Sequence, residues 1–352
     1  MTALKNKRMS PAVLFVGAFV VIIIIMLIAN QSKDVEVVLE MPFNEGIRSL
    51  STHKNNLMAV ASDGKTFLWD WDKLDQKPET GSMASEQAYL LDPDVVALIK
   101  QGRSTSLVVS NFQGDKIKKS ILLDSKGSHV FLIVNRNQSA LAAITAKNSD
   151  SESRVDYQFL NIDLEREKTS KITDITDKAG DIQLADFAVS DDGYLLAGAG
   201  GKDHRARLVL VDIRQKRMLW DKTYDNPDRF GSVIFSFDSK TVFAGGGDGA
   251  VYWFRVSDGK LVDQFRFKGE PQIAHKTSCT QHMTISHDSS LLAFVYGFRM
   301  YIFDCKTKKE IFSRGPGHKL PGPLAFSPDS EFIATSDLRQ GGKINIWPVP
   351  SR

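Results

Sequence analysis

Nucleophilic catalysis needs a nucleophile with a base in hydrogen-bond reach, and this chain carries no motif that supplies the pair. There is no Gly-x-Ser-x-Gly elbow and no His-Glu-x-x-His. The run AGGGDGA (244–250) has the glycine content of a phosphate loop but lacks the Gly-Lys-Ser/Thr that would hold a phosphate. It lies between two apolar strands, with no helix after it, and reads as a tight turn. The two cysteines, Cys279 and Cys305, have no metal-ligand spacing around them. They are expected at opposite faces of one repeat, as free and partly buried thiols, since a disulfide needs Cα atoms within about 7 Å. No catalytic, cofactor-binding or metal-binding residue is therefore assigned.

The residue types that remain are basic. Lys202, His204, Arg205, Arg229, His275, Lys276, Arg299, His318, Lys319 and Arg339 all fall in loops between apolar strands, beside fewer acids: Asp203, Asp225, Asp228, Glu270 and Asp337. If strand order places these loops on one face, they form a basic, histidine-bearing surface suited to an acidic partner or an anionic headgroup. The competing reading is an ordinary solvated rim. The formal net charge of +3 over 352 residues argues against nucleic acid as a partner.

The elements that position these loops repeat along the chain. FAVSDDGYLLAGAG (187–200), IFSFDSKTVFAGGG (234–247), MTISHDSSLLAFVYG (283–297) and LAFSPDSEFIATSD (324–337) share one pattern. Each is an apolar strand, a Ser-x-Asp-Ser/Gly turn and a second apolar strand. A third strand follows each copy: RLVLVDI (207–213), AVYWFRV (250–256), MYIFDCK (300–306) and KINIWPV (343–349). A fourth, more polar strand leads to the next copy. Four short strands in a unit of roughly 40–50 residues is the signature of a propeller blade. Lys147–Ser153 is expected to be a polar turn extension.

The segment LAFSPDSEFIATS closely resembles the strand-turn-strand wording of the WD-repeat family. Asp63-Gly64 and Asp248-Gly249 sit where that family places its turn between second and third strands, and Trp69-Asp70 resembles its terminal dipeptide. Elsewhere the dipeptide drifts to Leu160-Asn161, Val211-Asp212, Phe254-Arg255, Phe303-Asp304 and Trp347-Pro348. The resemblance covers nearly everything after residue 35. It implies an all-β, seven-bladed β-propeller of four-stranded antiparallel blades, with blades near 47–80, 88–124, 128–173, 181–225, 230–267, 278–314 and 322–350. The last lacks an outer strand, which Val35–Glu40 at the other end of the chain is expected to supply. The resemblance also implies a buried structural network of His318 with Thr335 or Ser336, Asp337 and Trp347. His275, which has no matching aspartate or tryptophan, is left free.

Pro11 to Ala29 is an uncharged run, PAVLFVGAFVVIIIIMLIA, long enough to span a hydrocarbon core of about 30 Å. It is expected to be a transmembrane α-helix, a retained signal anchor, with a tail at 1–10 and a short linker at 30–34. The alternatives are a cleaved signal peptide, although no A-x-A site follows, and a buried core helix. Lys5, Lys7 and Arg8 before it place the N-terminus in the cytoplasm and export the propeller, to the periplasm in a Gram-negative bacterium or to the secretory lumen in a eukaryote.

The expected function is that of a non-enzymatic, membrane-anchored scaffold binding protein partners, without a cofactor. Two alternatives stay open. VDIRQKRMLW (211–220) and VSDGKLVDQF (256–265) resemble the Asp-x-x-x-Gly-Lys-x-x-Trp wording of quinoprotein propeller enzymes. An assembly factor for envelope proteins is the other.

Overall fold

The computed structural model describes residues 37–40, 45–81, 85, 87–92, 94–100, 104–124, 129–135, 141–148, 155–176, 184–202, 205–225, 227–266, 281–315, 321–338 and 342–350. These residues are strands joined by turns, apart from one three-residue 3-10 turn at Trp71–Lys73. Six sheets are each built from four consecutive antiparallel strands, at 47–81, 88–124, 129–176, 184–224, 230–265 and 281–314, and are called blades 1 to 6. One further four-stranded sheet is a composite. Its inner three strands are Pro321–Phe326, Phe332–Asp337 and Lys343–Pro348, and its outer strand is Val37–Glu40 from the opposite end of the chain. In this closing sheet Val37 stands opposite Ile346 and Glu40 opposite Lys343.

The expected fold class, seven blades behind a transmembrane helix, is corrected. No helix among the described residues is long and apolar enough to cross a membrane. The run Pro11–Ala29 that motivated a transmembrane helix lies outside the described residues. What the structure supports is an all-β propeller with six blades continuous in sequence and one sheet assembled from both ends. The single-pass topology, with the N-terminus cytoplasmic and the propeller exported or periplasmic, rested on that helix and is withdrawn with it.

The strand patterns follow from the stacking of sheets face to face. A middle strand is covered on both faces by neighbouring blades, so it reads as an unbroken apolar run; Leu291–Tyr296 is buried at all six positions. An outermost strand meets solvent on one side, and Arg217–Tyr224 alternates exposed and half-buried along its whole length. Each of the seven interfaces between neighbouring sheets holds one apolar cluster. The cluster between the closing sheet and blade 1 joins Leu39, Ala334, Ile344 and Ile346 to Ile47, Leu57, Phe67 and Trp69.

The turn between the first two strands of a blade is built the same way four times. Ser190, Ser236, Ser286 and Ser327 each donate a hydroxyl hydrogen bond to the aspartate two residues on, at 2.5–2.7 Å. Each hydroxyl also accepts the backbone N–H five residues ahead. The residue after the aspartate takes a positive φ: Gly193 at 74°, Ser239 at 55°, Ser289 at 56° and Ser330 at 65°. That explains the Ser/Gly choice there, since the left-handed region suits glycine and tolerates a small polar side chain. The serines at this position also link neighbours: the N–H of Phe237 donates to Ser289 and that of His287 to Ser330, at 3.1 and 3.2 Å.

Because Leu39 is buried in the cluster with blade 1 while its neighbour Val38 is 45% exposed, the closing strand can be tested by pairwise truncation. Leu39→Ala should lower unfolding free energy by about 2–4 kcal/mol, and Val38→Ala by no more than about 0.5 kcal/mol. Denaturant melts of the two variants check this.

Candidate functional site

The first strands of all seven sheets face one another around the ring axis and enclose a cavity of ≈ 390 Å³. A first strand is bonded to its own sheet along one edge only, so the backbone groups on its inner edge need other partners. Polar side chains supply several. The Oε1 of Gln87, at the start of blade 2, accepts the N–H of Leu132 in blade 3 at 2.6 Å, and its Nε2 donates to the Val130 carbonyl at 3.3 Å. The Oδ2 of Asp186 in blade 4 accepts the N–H of Val233 in blade 5 at 2.8 Å. Thr52 in blade 1 donates to the carbonyl of Phe326 in the closing sheet at 2.7 Å. Asn135 in blade 3 donates to the Asp191 carbonyl in the blade 4 turn at 2.9 Å.

Burial pushes the Asp186 carboxyl up to about 6, against two backbone N–H groups that favour its charged form. The Tyr89 hydroxyl, on the cavity wall, is pushed up to about 12 by burial first and by the charge of Asp186 second. His282 sits in an irregularity of the first strand of blade 6, at a φ of 51°, and burial pushes it down to about 4. It is thus held neutral. His53, at the end of the first strand of blade 1, is lowered by burial and by Lys54, and its Nε2 has no hydrogen-bond partner among the described residues.

Of the expected basic face, the structure describes the side chains of Arg205, Arg229 and Arg299. Arg205 opens the third strand of blade 4 and is exposed. Arg299 does the same in blade 6, and its Nη2 donates to the Ser313 carbonyl at 3.1 Å. Both therefore stand at turns between second and third strands. Arg229 lies in the connection between blades 4 and 5, and its carbonyl accepts the N–H of Gly247 at 2.9 Å. A Cβ on Gly201 would come within 2.6 Å of the Arg229 Cα, so the Arg229 backbone seals a close approach of two blades. Lys202 ends the second strand of blade 4, opposite Arg205. His204, His275, Lys276, His318, Lys319, Arg339 and Cys279 lie outside the described residues. Among the described residues no group of three or more His, Cys, Asp or Glu could hold a metal ion.

The expected network in the closing sheet is brought together in part. Trp347 Nε1 donates to Thr335 Oγ1 at 3.0 Å, and both are buried, as is Asp337. Ser336 turns instead to the Pro323 carbonyl at 3.2 Å. A comparable network in blade 5 went unread in the sequence: Asp248 Oδ2 accepts from the Tyr252 hydroxyl at 2.7 Å and from Arg266 Nη2 at 2.8 Å. The run AGGGDGA is a turn, with Gly249 at a φ of 80° and the Ala250 N–H donating to Asp248 Oδ1. Acids at the end of third strands cap the next turn, where Asp163, Asp212 and Asp304 each accept the N–H three residues ahead. Ile162-Asp163, rather than Leu160-Asn161, is thus the terminal dipeptide of blade 3. Cys305 is half-buried and packs against the cluster between blades 5 and 6.

The sequence reading passed over the cavity wall. The available signal was a charge inside an apolar first strand, Asp186 within Leu184–Val189.

No family model matches this chain, and no curated protein matches it in sequence. Among solved structures it is similar to the crystal structure of the β-propeller domain of Cps50 (Swd1) from Myceliophteria thermophila, with a TM-score of 0.67. The match covers 89% of this chain and 100% of that one at 14% identity. The likeness shows the fold, a β-propeller.

The raised carboxyl has a consequence for stability. The folded protein holds the Asp186 proton up to about pH 6, whereas the unfolded chain releases it near 3.8. Between those values the native state binds more protons, so this group's contribution to stability falls as pH rises and is constant above the window. Asp186→Asn should flatten that part of the profile and leave the protein at least as stable at neutral pH, because the amide oxygen still accepts from Val233. Urea unfolding from pH 4 to 7 measures it.

Proposed function

We propose that this protein is a non-catalytic propeller scaffold of WD-repeat type that binds protein partners through the loop face of blades 4 to 6 and the closing sheet. The observation that carries the reading is the placement of Arg205 and Arg299, both exposed, at equivalent turns of a closed ring of sheets. A ring of this kind holds its loops in fixed relative positions, so little ordering entropy is lost when a partner docks. The propeller fold and the WD-repeat wording of the closing sheet support a binding rather than a catalytic role, by analogy of fold. Lys202, His204, His275, Lys276, Lys319 and Arg339 belong to the same loops in sequence and would extend the surface. A surface of this sign takes an acidic protein segment, and screened charge acts mainly on the rate of encounter.

Reversing charge at Lys202, Arg205, Lys276 and Arg299 together should weaken capture of partners without lowering the melting temperature. Captured partners should also dissociate as ionic strength rises. The measurement is affinity isolation with the wild-type and reversed proteins side by side, at low and high salt. Equal capture by the two would place the functional surface elsewhere.

A further inference from the structure

The axial cavity has features that the loop-face reading does not use. Its volume of ≈ 390 Å³ is within the range of small-ligand sites, about 300–1,000 Å³. Its wall mixes polar groups with apolar and aromatic side chains, Tyr89, Phe131 and Phe187 among them; the Phe131 and Phe187 rings lie 5.5 Å apart. Among the described residues no lysine or arginine lines it, while Asp186, Asp191 and His287 do. The groups acting on Asp186 are burial and two backbone N–H groups, with no cation among them. A desolvated carboxylate without a counter-charge is costly.

The bond to the next blade does not require that charge. Gln87 links blade 2 to blade 3 with a neutral amide, through the same kind of bond that Asp186 makes from blade 4 to blade 5. A carboxylate where an amide would serve is a group kept for another purpose. The Asp186 carboxylate accepts from backbone N–H groups on one side and lines the cavity together with Tyr89, whose hydroxyl responds to its charge. Aromatic faces attract a cation through their quadrupole, most strongly where water is excluded.

We propose that the axial cavity is a binding site for a small organic cation, an alkylammonium or guanidinium group, held between the Asp186 carboxylate and the rings of Tyr89 and Phe131. The cation can arrive as a free amine or as a basic side chain inserted by a protein partner. Both present the same chemistry to the cavity. Among the described residues no group of three or more His, Cys, Asp or Glu is placed to hold a bare metal ion there.

The test is calorimetric titration of the full chain at neutral pH with n-butylammonium, n-butylguanidinium and, as an uncharged alcohol of similar length, n-pentanol. Saturable binding of the cations and none of the alcohol is expected. Asp186→Asn, which keeps the bond to Val233, should weaken cation binding by roughly tenfold or more, the worth of a charge-assisted contact. A melting temperature no lower than that of the wild type separates this from loss of fold. Tyr89→Phe keeps a ring and should bind nearly as well, while Tyr89→Leu should lose roughly three- to tenfold. Equal heats for pentanol and butylammonium, no saturable binding, or full affinity in Asp186→Asn would overturn the site. A second arm uses the peptide acetyl-Gly-Lys-Gly-amide. Tighter binding of the peptide than of butylammonium assigns the cation to a partner's side chain, and weaker binding assigns it to a free amine. The four-site charge reversal of the loop face should leave all these affinities unchanged, so failure of either reading is visible apart from the other.

Discussion

Face-to-face packing of sheets is the constraint on which the rest of this molecule depends. The middle strands bury side chains on both faces, as Thr241–Gly246 and Leu291–Tyr296 do, so a sheet needs a neighbour on each flank. A row of such sheets would leave two apolar faces in water. Closing the row into a ring removes both, and the clusters on either side of the closing sheet show the closure made. Leu39, carried by the strand from the far end of the chain, completes the cluster with blade 1. Removal of apolar area from water, about 25 cal/mol per Å², supplies the driving force. The surface ion pair Lys343–Glu40 at 3.3 Å adds little, being exposed on both sides.

Closure creates a second demand. The inner strands converge on the axis with unpaired backbone edges, too far apart to bond as a continuous sheet. Gln87, Thr52, Asn135 and Asp186 answer it by reaching sideways to the next blade. These bonds fix the spacing of the inner strands and thereby the width of the cavity. Three of the four are neutral. The fourth brings a carboxyl into a desolvated space, and its raised pKa measures what that placement costs. The cavity is thus a product of ring closure, and its Asp186 carboxyl is a choice of residue within it.

The turns show how a fold of this kind tolerates sequence drift. The Ser-x-Asp turn recurs four times with the same bonds, yet its second position is Asp191, Phe237, His287 or Pro328. Only the serine and the aspartate that satisfy backbone atoms recur; the position between them holds an acid, an aromatic ring, an imidazole or a proline. The acid that ends a third strand behaves alike. Where it is present, as at Asp212 and Asp304, it caps the following turn. Where the position is Arg255, the capping passes to Asp258, whose Oδ1 accepts the Lys260 N–H at 3.1 Å.

What the sequence determined by itself was local and periodic. The alternation of apolar strands, the Ser-x-Asp turns and the Asp-Gly turns are decided within ten or fifteen residues, because they depend on backbone hydrogen bonds between near neighbours. They were legible for blades 4 to 6 and the closing sheet. In blade 3 the terminal dipeptide was misplaced by two residues, since Leu160-Asn161 and Ile162-Asp163 both present an apolar-polar pair and only the strand's end tells them apart. The basic loop residues were legible as a list, while the part of Arg229 in sealing Gly201 and Gly247 was not. The tertiary structure alone decided which side chains meet on the axis. Asp186, Tyr89 and Phe131 come from three different blades. No spacing along the chain encodes their meeting, which follows from the angle at which successive sheets pack around the ring.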